Sequence, residues 1–362
     1  MNKSLNLSYW VAAGLLICAP MVFAGAPPCF SWEQLTVPTS PAARSDHAMA
    51  YDSARGVIVL FGGAQDGQLF FGDTWEWNGQ SWTLRSTTGP APRWRHAMSF
   101  DSGRNSIVLF GGEDGSLRYG DTWEWNGSSW SMVSNSGPPP RIVHAMTYDS
   151  ARGRTVVFGG RAANNSLLGD TWEWNGNLWV NPTNSGPSPR ASSVMTFDSR
   201  RHVAVLFGGS DGADRQDTWV WDGNSWLNPT QTGPSVRRDS AFAFDLNRGV
   251  AVLFGGIAGT NETWEWDSIA WTQQPVSAPP GRWDSALAFD AQRCSMVLFG
   301  GRSDTSSYRS DTWEFGFDSN CDGQLEHLCI PTLSEWGLLA MGLLTVAAGA
   351  VVVMRRRCVA GA

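Results

Sequence analysis

Three histidines occupy the same place in three successive repeats of this 362-residue chain. His47, His96 and His144 each stand five residues before an aspartate, Asp52, Asp101 and Asp149. Imidazoles converging from three elements could ligate a transition metal. The matching positions of the next three repeats are Ser193, Ser240 and Ser285, so the pattern offers three nitrogens and no carboxylate. A histidine so placed also serves as a polar strand residue bonded to a neighbouring element. A second metal chemistry is oxygen-based. Asp318, Asn320 and Asp322 alternate before Gly323, a spacing suited to calcium, but the twelfth position is Cys329 in place of a bidentate glutamate. Calcium and a transition metal are the two cofactors on offer, and no motif requires either. A third chemistry is recognition. Trp94, Arg95, Arg238, Asp239, Trp283 and Asp284 lie beside repeat-opening arginines, and Tyr119 and Tyr308 sit in variable loops. Aromatic planes beside Arg and Asp suit sugar rings or peptide segments, through stacking and charge-assisted hydrogen bonds.

The elements that must position these residues are repeated too. Arg44, Arg93, Arg141, Arg190, Arg237 and Arg282 open six units, at spacings of 49, 48, 49, 47 and 45 residues. Each unit carries a Phe-Gly-Gly, first at Phe61-Gly62-Gly63, and a tryptophan about ten residues later, first at Trp75. A period near 50 is that of a propeller blade. Unit one predicts four strands. His47–Tyr51 alternates large and small. Val57–Phe61 is a continuous apolar run expected to be buried on both faces. Thr74–Trp77 follows, then an Asn78-Gly79 hairpin signal and Ser81–Leu84. Unit six stops after Phe315 without a fourth strand, whereas Phe30–Leu35 resembles a fourth strand ahead of unit one. An N-terminal strand is thus expected to close the ring and protect its edges. A β-solenoid would need caps instead.

The arginines, Gly-Gly pairs and spaced tryptophans resemble the kelch-repeat family over residues 29–316. The resemblance implies an all-β, six-bladed propeller, with the first strand of each blade lining a central channel and the fourth outermost. In that layout the three histidines begin inner strands near the channel mouth. Of the 21 tryptophans, those repeated on strands three and four are expected to pack between blades. Kelch-like propellers include copper-radical oxidases, but their ligand set finds no match here. Asp73-Thr74-Trp75 also lacks the form of a sialidase Asp-box.

The termini carry addresses. Residues 1–26 resemble a secretory signal, with Lys3, an apolar stretch and small residues around Ala24. Export implies an oxidising compartment. Four cysteines remain in a processed chain. Cys321 and Cys329 are near neighbours in a polar linker, 317–329. Cys29 and Cys294 would then staple the closing strand to the first hairpin of its own blade. Ile330-Pro331-Thr332-Leu333, with Trp336-Gly337, precedes an uncharged stretch at 337–354 and then Arg355-Arg356-Arg357. That stretch is long enough to span a bilayer, and the basic cluster would hold the propeller outside. Residues 330–357 resemble the IPTL-type C-terminal sorting signals of Gram-negative bacteria. The resemblance implies an exosortase-like processing protease as a partner, and delivery to the cell envelope or surface.

A formal net charge of −7 argues against a nucleic-acid partner. The expected function is that of an exported, surface-sorted binding module whose rim holds a polysaccharide or a protein. The alternatives are a carbohydrate-active enzyme and a structural matrix component, and catalysis is the less expected of the classes.

Overall fold

The computed structural model describes residues 29–318 and residue 325, apart from 184, 231, 232, 258 and 259. The signal segment, Asn320, Cys321, Asp322, Cys329, the motif residues Ile330 to Gly337, the apolar stretch 337–354 and the basic cluster lie outside the described residues. Among the described residues no helix is long and apolar enough to cross a membrane.

Six antiparallel sheets stand around an axis, each blade running from an inner first strand to an outer fourth. Blade one is Ala48–Asp52, Val57–Phe61, Thr74–Trp77 and Trp82–Ser86, within two residues of the predicted strands. Its second strand is the apolar run, and Ile58, Val59, Leu60 and Phe61 are completely buried because blades cover both of its faces. Blade six is Ala286–Asp290, Ser295–Phe299 and Thr312–Asp318, completed by Cys29–Leu35 from the N-terminus. The closing strand pairs with Thr312–Asp318 over its full length, from Leu35 opposite Thr312 to Cys29 opposite Asp318. One boundary moves as a result. Phe317 and Asp318, expected in the polar linker, continue the third strand of blade six, and the linker starts after them.

Two repeated interactions hold the ring. Each fourth-strand tryptophan sends its indole N–H to a threonine on the third strand of the preceding blade. Trp82 bonds Thr312 at 2.9 Å, Trp130 bonds Thr74 at 2.8 Å, and Trp179, Trp226, Trp271 and Trp32 repeat the bond to Thr122, Thr171, Thr218 and Thr263. The ring buries its apolar area between blades, and the N–H is satisfied there. Each blade-opening arginine lies inside its own blade. Arg44 is completely buried, forks onto Asp73 at 2.7 and 2.9 Å, and donates to the Gly62 carbonyl at 2.9 Å. Burial by itself would raise the Asp73 carboxyl. The Arg44 guanidinium and the Trp75 indole N–H, 2.7 Å away, outweigh burial and hold it below its usual range.

The Gly-Gly pair makes room for these contacts. Gly62 and Gly63 have φ of 69° and 98°. A Cβ on Gly62 would lie 2.6 Å from the Arg93 carbonyl of the next blade, and one on Gly63 would lie 2.8 Å from the Ser45 carbonyl. Neither the conformation nor the space admits a side chain.

Candidate functional site at the channel mouth

Two residues after each opening arginine, the chain takes a left-handed turn. Asp46, Arg95, Val143, Ser192, Asp239 and Asp284 have φ of 55°, 59°, 47°, 59°, 57° and 56°. Their backbones join into a closed ring. Asp46 N–H donates to Asp284 O at 2.9 Å, Arg95 to Asp46 at 2.9 Å, Val143 to Arg95 at 3.0 Å, Ser192 to Val143 at 2.8 Å, Asp239 to Ser192 at 3.1 Å and Asp284 to Asp239 at 3.0 Å. For a β-branched residue such as Val143 this conformation is costly, and it persists only where the surroundings dictate it. The six bonds between blades supply that constraint.

On the loop face above the ring lies a cavity of about 430 Å³. Its walls include Arg95, Arg238, Asp239, Trp283 and Asp284, so five of the residues expected to bind ligand converge there. Asp46, Arg161 and Arg302 join them. Asp284 accepts from Arg302 at 2.7 and 2.9 Å. Asp46 lies 3.4 Å from Arg95, and Asp239 lies 3.4 Å from Arg238. Arg238 also pairs with Asp214, and Arg95 with Glu113 at 3.2 Å. The mouth therefore carries carboxylates and guanidiniums side by side, with one indole at its wall. That combination donates to and accepts from vicinal hydroxyls, beside an indole over whose ring the Arg302 guanidinium lies at 5.8 Å.

The carboxyls are electrostatically strained. Burial pushes Asp239 up to about 6, and the nearby Asp46 charge adds to the effect. Burial, followed by the charges of Asp46 and Asp239, pushes Asp284 well above the usual carboxylate range. A carboxyl raised by folding contributes stability that is fully present below its unfolded value, near 4, and is lost as pH rises through its folded value. Asp239→Asn should therefore raise the melting temperature by a few degrees at pH 7.5, corresponding to about 1–3 kcal/mol, and leave it unchanged at pH 4. Thermal melts at the two pH values check this; an equal shift at both would assign the effect to something other than the charge.

The other expected site residues are placed differently. Trp94 stacks on Arg95, with the guanidinium 3.8 Å from its ring, and leans on Phe70, so it buttresses the wall from behind. Tyr119 covers the blade-opening Arg93 at 3.9 Å and gives its hydroxyl to Asp114 at 2.7 Å. Tyr308 bridges backbone-to-backbone with Arg302, outside the cavity lining. The three histidines do not converge. His47, His96 and His144 are buried edge-on against Phe299, Phe61 and Phe110 of the preceding blades. Burial holds them well below the ordinary histidine range, His96 and His144 to about 3. Among the described residues no three His, Cys, Asp or Glu side chains are grouped to hold a metal ion. Asp318 is 1% exposed at the end of its strand, and Asn320 and Asp322, the other oxygen ligands expected for calcium, lie outside the described residues. Cys294 is disulfide-bonded and sits beside Phe30 and Phe317.

Asp46, Arg161 and Arg302 escaped sequence reasoning. Asp46 was detectable, because it holds the repeat position of Asp239 and Asp284. Arg161 and Arg302 each follow a Gly-Gly pair directly, in blades three and six.

Below the ring a second cavity, of about 440 Å³, runs along the axis between the first strands of all six blades. Small residues such as Ala48, Ala97 and Ala241, the first of their strands, line it nearer the ring. Tyr51, Phe100, Tyr148, Phe197, Phe244 and Phe289 collar its far end.

Residues 26–136 match the family model of the KLHDC2/KLHL20/DRC7 kelch-repeats domain, and residues 330–357 match the IPTL-CTERM motif. No curated protein matches the chain significantly. Among solved structures, that of YjhT is similar in fold, with a TM-score of 0.61 at 14% identity, covering 76% of this chain and 95% of that one. As many as 626 solved chains match, so the fold by itself does not select a function. Repeats, closed ring and tail motif together define the class: a kelch-type six-bladed β-propeller with an IPTL-type sorting motif. The motif indicates export, sorting to the cell surface and processing by an exosortase-type system.

Proposed function

We propose that the protein is a surface-sorted binding module that holds a saccharide in the mouth on its loop face. The observation that carries this reading is the convergence of Arg95, Arg238, Asp239, Trp283 and Asp284 on one cavity above the backbone ring. Their positions are spread over three blades, and only ring closure unites them. The direction of the chain supports the same reading. Cys29 and Asp318 pair at the end of blade six that carries its first hairpin, whereas Asp284 lies two residues before the first strand, at the opposite end. The third strand of blade six therefore ends on the face opposite the mouth, and Leu325 beyond it packs back on that blade beside Glu33 and Gly316. Pairing of Cys29 with Cys294 would fix the closing strand on the hairpin side, away from the ligand.

The test is binding of the mature protein, purified from its own cell fraction, to an array of surface glycans. Wild type is run beside Trp283→Ala and Asp239→Asn. Selective binding is expected, weakened by about tenfold or more in each variant, the scale of one lost stacking or charged hydrogen-bond contact. Binding that is indifferent to both substitutions would remove the mouth as the site. Retention of proteins and no glycans would favour a protein partner. The raised carboxyls of Asp239 and Asp284 favour one further reading, an enzyme acting on the bound sugar, with one of them as the acid. Product formation from a retained glycan would distinguish it.

A further inference from the structure

The shape of the mouth limits which part of a saccharide can enter it. Every blade contributes to the lining: Asp46, Arg95, Arg161, Ser210, Ile257 and Trp283 come from blades one to six in turn, blades one and two only through the ring residues Asp46 and Arg95. The site is therefore a depression centred on the axis, and it is not a groove along the seam between two blades. The floor is the hydrogen-bonded ring. Backbones bonded in this way sit about 4.8 Å apart, so a ring of six is only about 10 Å across between backbone centres. Once the backbone's own thickness is subtracted, no sugar ring passes. No residue lines both the mouth and the axial cavity beneath it, in keeping with a partition between them. The carboxylates lie deep, the side chains of Asp46 and Asp284 being only 4% and 6% exposed. The volume, about 430 Å³, falls at the small end of the range for ligand pockets, about 300–1,000 Å³.

We propose that the mouth recognises the end of a saccharide chain, about one or two terminal residues inserted end-on, and does not bind internal segments. A chain crossing the rim would pass above Asp46 and Asp284 without reaching them. A protruding terminal residue presents several free hydroxyls to the guanidiniums and carboxylates on the floor, and one ring face to Trp283. This inference rests on the reading of the mouth as a saccharide site.

The experiment uses immobilised oligosaccharides in matched pairs that share their internal repeat and differ only in the non-reducing terminal residue. The mature protein and Asp284→Asn are both applied, with thermal melts to confirm that each is folded. The expected result has three parts. Exchanging the terminal residue weakens retention by at least about tenfold. The free mono- or disaccharide corresponding to that end competes. Folded Asp284→Asn loses retention. Retention that is unchanged by exchange of the end, or that rises with the number of internal repeats, overturns end-on recognition. If Asp284→Asn still weakens such retention, the mouth survives as the site. Failure of every oligosaccharide to be retained overturns the saccharide reading itself, and this inference with it.

Discussion

Arg141→Met should cost about 3–5 kcal/mol of unfolding free energy at neutral pH, measured by denaturant titration with an unchanged slope. Arg141 is completely buried inside blade three. Its two terminal nitrogens fork onto Asp170 at 2.8 Å each, and one of them also reaches the Gly159 carbonyl at 2.9 Å. Methionine fills much of the volume and supplies none of the donors. Asp170 is then left with the Trp172 N–H, 2.6 Å away, and no compensating charge. The penalty for an uncompensated charge exceeds the net worth of the pair it came from. Two comparisons separate this account from simple loss of packing. Arg141→Met with Asp170→Leu should recover most of the loss, because no charge is then orphaned. Arg237→Met should cost less, because its partner Glu262 is 34% exposed and water can solvate it. If the double variant is as unstable as the single one, charge burial is not the cause.

Removal of the closing strand should have the other large effect. A chain lacking residues 29–35 should not give a cooperative, monomeric propeller, as read by near-UV circular dichroism and size-exclusion chromatography. The third strand of blade six would lose a seven-residue partner and expose a sheet edge able to pair with another chain. Trp32 would go with it. That side chain is 6% exposed, packs at a tilt against Phe254 and Phe315 with ring centroids 5.1 Å from each, and gives its N–H to Thr263 at 2.9 Å. Trp32→Ala by itself should cost about 3–5 kcal/mol. A peptide of residues 29–35 added in excess should restore part of the native signal to the truncated chain. A truncated chain that folds as stably as the intact one would mean that the blade contacts close the ring without it.

Much of this fold could be read in the chain because its signals are local. The apolar run Val57–Phe61, the Asn78-Gly79 turn and the unfinished sixth unit each lie within a few residues. The blade-opening arginines and the aspartates after the Gly-Gly pairs were equally visible as repeated residues. Their pairing was not, because Arg44 and Asp73 are 29 residues apart and meet only when the third strand packs beside the first turn. The histidines show the same limit. Their equal positions left open a metal site and a polar strand residue against a neighbouring blade, and only the structure shows each side chain turned sideways onto the phenylalanine of its neighbour. Trp94 was singled out for its type and loop position, yet it stacks behind Arg95 and supports the wall.

By itself the sequence determined the number of blades, the strands within them, the identity of the closing strand and the tail motif. Those follow from turn chemistry and hydrophobic periodicity, which act over short stretches of chain. Only the tertiary structure decided which side chains share the mouth. Asp46 and Asp284 stand at opposite ends of the repeat array, and the bond from Asp46 N–H to Asp284 O exists only because the ring closes. Closure sets their burial, raises Asp239 and Asp284, and makes the mouth a depression centred on the axis. Charge and depth there belong to six blades together, and no single repeat encodes them.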